Sequence, residues 1–160
     1  MVRKSAVVSI AVAVMAMLFG AAPARADRPL GNIAIYSPII ATVGDHDYCR
    51  GSFDVGLSSK SRKPGVVKVT LTSRGFTGNG RGWTRNPQCR FLIGITALGS
   101  RAFYRDYWIP AAFGPRPGQK IVREVMTGSG LSTVAVQTYV SKTTVRTPQS
   151  LKTAFYLIVP

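Results

Sequence analysis

Turn-forming residues break this chain about every 8 to 15 positions, and between the breaks apolar and polar residues alternate. No segment keeps the i, i+3, i+4 recurrence of a helix face. A period of two sends neighbouring side chains to opposite faces of a strand, so each segment has one apolar face to bury. Val66 to Ser73 shows this best: Val67, Val69 and Leu71 lie on one side, Lys68, Thr70 and Thr72 on the other. Ile33 to Val43 is a first strand, interrupted at Pro38 and therefore an edge strand or a bulged one. Cys49 to Leu57 turns Phe53, Val55 and Leu57 inward, and Cys89 to Leu98 does so with Phe91, Ile93, Ile95 and Ala97. Ala102 to Ile109, Ile121 to Met126, Leu131 to Val140 and Ala154 to Val159 complete the set. Seven or eight half-apolar strands are best buried in an all-β, antiparallel two-sheet sandwich, immunoglobulin-like, with a small closed β-barrel as the alternative.

The first 26 residues have the three parts of a signal peptide. Arg3 and Lys4 are a basic start, Ser5 to Gly20 is an apolar run of 16, and Ala24-Arg25-Ala26 offers small residues at the cleavage positions. That run is shorter than the roughly 20 residues that span a bilayer, and Pro23 breaks it before the cut. The expectation is cleavage near Ala26 and a single domain over 27–160, secreted or held at the cell envelope with no transmembrane segment of its own. Export also sets the redox setting of the two cysteines. Cys49 and Cys89 in an oxidising compartment predict one disulfide, worth roughly 4 kcal/mol in the chain-entropy model.

Pro117-Gly118-Gln119-Lys120 before a strand, then Gly128-Ser129-Gly130, then a strand with Val134, Val136 and Tyr139, resembles the later half of secreted immunoglobulin-like modules. Trp83 lies between the cysteines but in a Gly/Arg loop, not on a core strand as the antibody pattern has it. The leader, the size and the single cysteine pair together resemble small exported proteins of high-GC Gram-positive bacteria. That likeness implies a location and no activity.

Catalysis is limited by inventory. The one histidine, His46, stands in Gly44-Asp45-His46-Asp47-Tyr48-Cys49, a polar turn, with its two carboxylates too near in sequence to orient its far nitrogen. No Gly-x-Ser-x-Gly elbow and no metal-ligand spacing is present, and Asp54, Asp106 and Glu124 each stand alone beside cations. Gly78 to Gly82 is glycine-rich but lacks the lysine of a phosphate loop. The expectation is a protein that is not an enzyme, with no catalytic residue, no metal and no cofactor. A small secreted hydrolase centred on His46, or a protease inhibitor presenting a stapled loop, are the alternatives.

Charge is what remains. The chain has 21 Lys and Arg and six Asp and Glu; Arg3, Lys4 and Arg25 lie in the leader, leaving 18 cations against six acids, +12. Arg74, Arg81, Arg85 and Arg90, with Phe76 and Trp83 among them, mark 74–90 as the candidate ligand-binding connection. Guanidinium forks suit anions and aromatic faces suit rings. Export replaces nucleic acid as a partner by an anionic envelope polymer or a lipid surface. The plainer alternative is a solvated connection whose Trp83 packs over the disulfide. A second candidate is Arg101, Phe103, Tyr104, Arg105, Tyr107 and Trp108, with aromatics on both faces of one strand.

Overall fold

The alternating segments fold as strands in a computed structural model that describes residues 27–60, 62–100 and 103–160. The leader, its cleavage point and Arg101 lie outside the described residues. In chain order the strands are β1 (Arg28–Pro29), β2 (Asn32–Ile35), β3 (Ile39–Val43), β4 (Arg50–Ser59), β5 (Val66–Thr77), β6 (Cys89–Gly99), β7 (Phe103–Phe113), β8 (Lys120–Met126), β9 (Gly130–Tyr139) and β10 (Thr153–Val159). A one-turn helix, α1 (Arg81–Arg85), stands between β5 and β6. The first sheet runs β1-β4-β5-β8 with β3 also on β4, and the second runs β2-β10-β9-β6-β7. Every pairing is antiparallel.

The two inner faces meet as the alternation requires. Val67, Val69 and Leu71 of β5 are buried against Phe91, Ile93 and Ile95 of β6, Val134 and Val136 of β9, and Phe155 and Leu157 of β10. Four phenylalanines gather at one end of this core: Phe53 and Phe76 from the first sheet, Phe91 and Phe113 from the second, with centroids 5.6 to 6.1 Å apart. Beside them Cys49 and Cys89 form the disulfide, Cα atoms 5.5 Å apart and 40 residues apart in sequence. Gly44 covers it; a Cβ there would come within 2.5 Å of the Cys89 sulfur and 2.7 Å of the Cys49 sulfur.

Two sheets and a sheet-bridging disulfide give the sandwich its immunoglobulin-like layering. Its strand order is its own. Its sheets run β1-β4-β5-β8, with β3 also on β4, and β2-β10-β9-β6-β7, five strands in each, against the four and three of a constant-type immunoglobulin domain. The ten strands exceed the expected seven or eight because the N-terminal segment divides. β1 joins the first sheet, β2 crosses to pair with β10 in the second, and β3 returns to β4. The return turns on Tyr36, whose φ of 76° is left-handed, followed by Pro38, which has no amide to offer a ladder. The Pro38 carbonyl still accepts the Val55 amide at 2.9 Å, and the Leu57 carbonyl takes the Leu30 amide at 3.0 Å, so the crossing leaves β4 satisfied.

The sandwich does not close into a barrel, and the facing edges β7 and β8 explain it. Arg105 pairs with buried Ala97 and Arg123 with buried Val69, so both arginines occupy core-facing register on an edge strand, yet both are exposed. A charge in that position blocks further strand pairing. One bond bridges the seam: the Met126 amide donates to the Tyr107 hydroxyl at 2.8 Å. Pro110 sits in β7, which an edge strand tolerates.

Native protein under oxidising conditions should titrate no thiol. Reduction removes a constraint of roughly 4 kcal/mol and should lower the thermal midpoint by roughly 10 to 20 °C in calorimetry. A midpoint indifferent to reductant would contradict the importance given to this link.

Candidate functional site

Antiparallel pairing puts the starts of β4, β6, β8 and β10 and the ends of β3, β5, β7 and β9 at one end of the sandwich, the disulfide end. The connections there are 44–49, 78–88, 114–119 and 140–152. They and their flanking residues carry nine cations: Arg50, Arg81, Arg85, Arg90, Arg116, Lys120, Lys142, Arg146 and Lys152. All nine are exposed, and none is in an ion pair.

Only two acids stand at this end, Asp45 and Asp47, and they are held differently. Asp45 Oδ2 accepts from the Ser141 amide at 2.5 Å and the Ser141 hydroxyl at 2.6 Å, and its Oδ1 accepts from Gln149 Nε2 at 2.7 Å. Its carbonyl takes Lys142 Nζ at 3.1 Å, and its amide donates to the Arg90 carbonyl at 2.9 Å. One residue thus ties its own connection to the 140–152 connection and to the start of β6. Asp47 lies beside His46, whose Nε2 is 3.2 Å from Asp47 Oδ2 and 3.2 Å from the Asn86 carbonyl. A single N–H serves one acceptor well, and here the carbonyl receives it, leaving the buried Asp47 Oδ2 with an electrostatic neighbour but no hydrogen bond. Among the described residues no hydroxyl hydrogen-bonds His46, as a nucleophile would. Among the described residues no group of three or more His, Cys, Asp or Glu is placed to hold a metal.

The expected connection 74–90 is shorter than its sequence suggested. Arg74 belongs to β5, where its guanidinium is 3.7 Å from Asp54, and Arg90 belongs to β6. Arg81 and Arg85 are four residues apart on α1, on one exposed face. Trp83 is half-buried and packs on the rim of the core, its ring against Gly78, where a Cβ would come within 2.6 Å. It anchors the helix and offers no open aromatic floor. Five residues with no side-chain cap and no acid in the first turn do not make a helix by propensity. Tertiary contacts hold it: the Asn79 amide on the Asp47 carbonyl at 2.9 Å, the His46 ring on Asn86, and Trp83 below. A segment wound this way is not the extended strand that a protease inhibitor presents.

Arg50, Arg116, Lys120, Lys142, Arg146 and Lys152, none of them in the 74–90 segment, come to the same end as Arg81, Arg85 and Arg90. Only the pairing of distant strands brings them there, so no local signal could have found them. Elsewhere four cations, Lys60, Lys63, Lys68 and Arg74, are in ion pairs, while Arg28, Arg62, Arg105 and Arg123 are not but are spread over the rest of the surface. Lys60 and Lys63 each lie 3.0 Å from Glu124, and Lys68 is 2.5 Å from Asp27. The hydrogen bond from Lys63, followed by that from Lys60, holds the Glu124 carboxyl below its ordinary range.

The aromatic strand divides by face. Tyr107 turns inward to the seam, while Tyr104 and Trp108 turn outward and are exposed. The Tyr104 hydroxyl donates to Asp106 at 2.8 Å, and that bond pushes its pKa above the ordinary tyrosine range. Trp108 meets Tyr139 edge-on at 5.2 Å and carries the Arg146 guanidinium 4.4 Å above its ring.

Compared with protein-family models, curated proteins and solved structures, the chain matches none. No helix among the described residues is long and apolar enough to cross a membrane.

Asp45→Ala should cost roughly 2 to 4 kcal/mol, because it strands several donors that now meet a charged acceptor. Hydrogen exchange should show the amides of 141–150 losing protection first. His46→Ala should cost less than about 1 kcal/mol in denaturant unfolding, since it gives up one partly exposed bond.

Proposed function

We propose that this chain is an exported, non-catalytic binding module of the cell envelope or extracellular space, and that its disulfide end takes an anionic partner, an envelope polymer or a lipid surface. One observation carries the reading: nine exposed cations outside any ion pair share one end with only two acids, Asp45 held by Ser141 and Gln149 and Asp47 beside His46. Such a field attracts polyanions without a shaped pocket. It also widens the sequence expectation, since Arg81, Arg85 and Arg90 act with residues of three other connections. Trp83 contributes by fixing α1, not by stacking on the ligand.

Binding of a soluble polyanion such as polyphosphate should weaken steeply from low to physiological salt, because exposed charges are screened over roughly 8 to 10 Å. Arg81→Ala with Arg85→Ala should weaken it roughly 30-fold at low salt, taking about 1 kcal/mol per cation near an anionic surface. The control pair is Arg28→Ala with Arg62→Ala, which removes the same charge from the opposite end. Lys142 and Lys152 cannot serve as that control, because they belong to the basic end themselves. If both pairs weaken binding equally, net charge alone is responsible and the site reading fails.

A further inference from the structure

We propose that the outer face of the β2-β10-β9-β6-β7 sheet docks on an anionic phospholipid bilayer, with its apolar half entering the interface and its basic end meeting the headgroups. The inference rests on the anionic-partner reading above and names lipid as the source of the charge.

The two outer faces of the sandwich differ in kind. On the first sheet, β4 turns Ser52, Asp54, Gly56 and Ser58 outward and β5 turns Lys68, Thr70 and Thr72, a polar centre with exposed apolar residues on the flanking strands, Ile39 and Val43 of β3 and Val122 and Met126 of β8. On the second sheet, register places Ile33, Tyr156, Thr133, Leu98 and Tyr104 in one row across all five strands, with the Ile158–Leu131 pair beside it. At the usual spacing of neighbouring strands that row is about 19 Å wide. Ile33 is 74% exposed, Ile158 73%, Tyr104 62% and Leu131 61%. Single exposed apolar residues need no explanation, but a row that crosses all five strands, broken only by Thr133, marks an interaction surface, whereas the first sheet keeps its exposed apolar residues apart on two outer strands with a polar centre between them.

Charge decides the occupant. Along β6 the outward positions run Arg90, Leu92, Gly94, Thr96 and Leu98, from the basic end to the apolar row. Arg146 over Trp108 and Lys152 before β10 lie toward the same basic end. The one acid on the face, Asp106, is held by Thr96 at 2.7 Å and by Tyr104. A second copy laid face to face would bring cations to a surface with no free carboxylate, against +12 of like charge. A sugar polymer would meet branched aliphatics that neither stack on rings nor bond hydroxyls. Aliphatics for the acyl boundary, tyrosine and tryptophan at headgroup depth, and adjacent cations for anionic lipid are what a bilayer surface selects.

The test is sedimentation of the full chain with vesicles of phosphatidylcholine alone, and of phosphatidylcholine with phosphatidylglycerol in equal parts. The expected result is binding to the anionic vesicles. Leu131→Ser with Ile158→Ser should weaken it roughly tenfold or more at low and physiological salt alike. Arg90→Ala with Lys152→Ala should weaken it at low salt chiefly. Both apolar positions are exposed, so folding should survive, and unchanged polyphosphate binding checks that it has. In a Trp83→Phe background, Trp108 emission should move to the blue on anionic vesicles only. The leader is common to all variants, so any binding it contributes is blind to Leu131 and Ile158. Vesicle binding unaffected by that double substitution would overturn the proposal. So would a self-associated chain that the double substitution disperses. Polyphosphate bound and anionic vesicles ignored would overturn the lipid inference alone; failure of both would also remove the anionic-partner reading.

Discussion

Four phenylalanine rings and a disulfide, packed side by side between the sheets, are what the rest of this molecule depends on. Phe53 and Phe76 come from one sheet, Phe91 and Phe113 from the other, and all four are buried. Burying each ring stabilises by roughly 1.5 to 3 kcal/mol, and each well-placed pair adds about 0.5 to 1.5 kcal/mol. The Cys49–Cys89 link fixes the starts of β4 and β6 beside this cluster. The roots of the four connections at that end are therefore held firmly. Asp45 and Trp83 then secure the connections themselves. Exposed cations repel one another and destabilise whatever carries them. Placing nine of them at the end held by the disulfide and the phenylalanine cluster is how the fold tolerates them.

The strands were legible because their signal is local. Alternation over β4, β5, β6 and β9 names the buried residues without any knowledge of pairing, and Val67, Val69, Ile93 and Val136 are all found inside. What escaped was set by partners distant in sequence. Pro38 marks a break, but nothing near it says that β2 will cross to the far sheet, because β10 lies more than 100 residues away. α1 has no apolar period; it exists because Trp83 and Asp47 have places to go. The site was half legible for the same reason. Arg81 and Arg85 stand out as a run, whereas Arg50, Arg116 and Lys142 join them only through register. Arg74, prominent in the run, is drawn off by Asp54 across the β4–β5 ladder.

The second sheet tells a related story about what an alternating pattern leaves open. In β9 and β10 the outward positions hold Leu131, Tyr156 and Ile158 where solvent would favour Thr or Lys. The sequence shows these residues plainly, but as a slight blurring of the strand period. Only when five strands lie side by side do the blurred positions fall into one row. The first sheet keeps the period clean on its central strands β4 and β5, and its outward Ile39, Val43, Val122 and Met126 stay apart on β3 and β8. The difference between them is chemical, and no requirement of folding imposes it.

The path of the first seventeen described residues also settles which way the molecule faces when held. β1 pairs with the far end of β4, and the Pro160 carbonyl accepts from the Gly65 amide and the Ser129 hydroxyl. Asp27 and Pro160 thus both lie at the end remote from the disulfide, about 30 Å away at strand rise per residue. Any tether joined ahead of Asp27 or after Pro160 leaves from that remote end. A molecule anchored by either terminus points its basic connections outward, like the head of a mallet gripped by its handle.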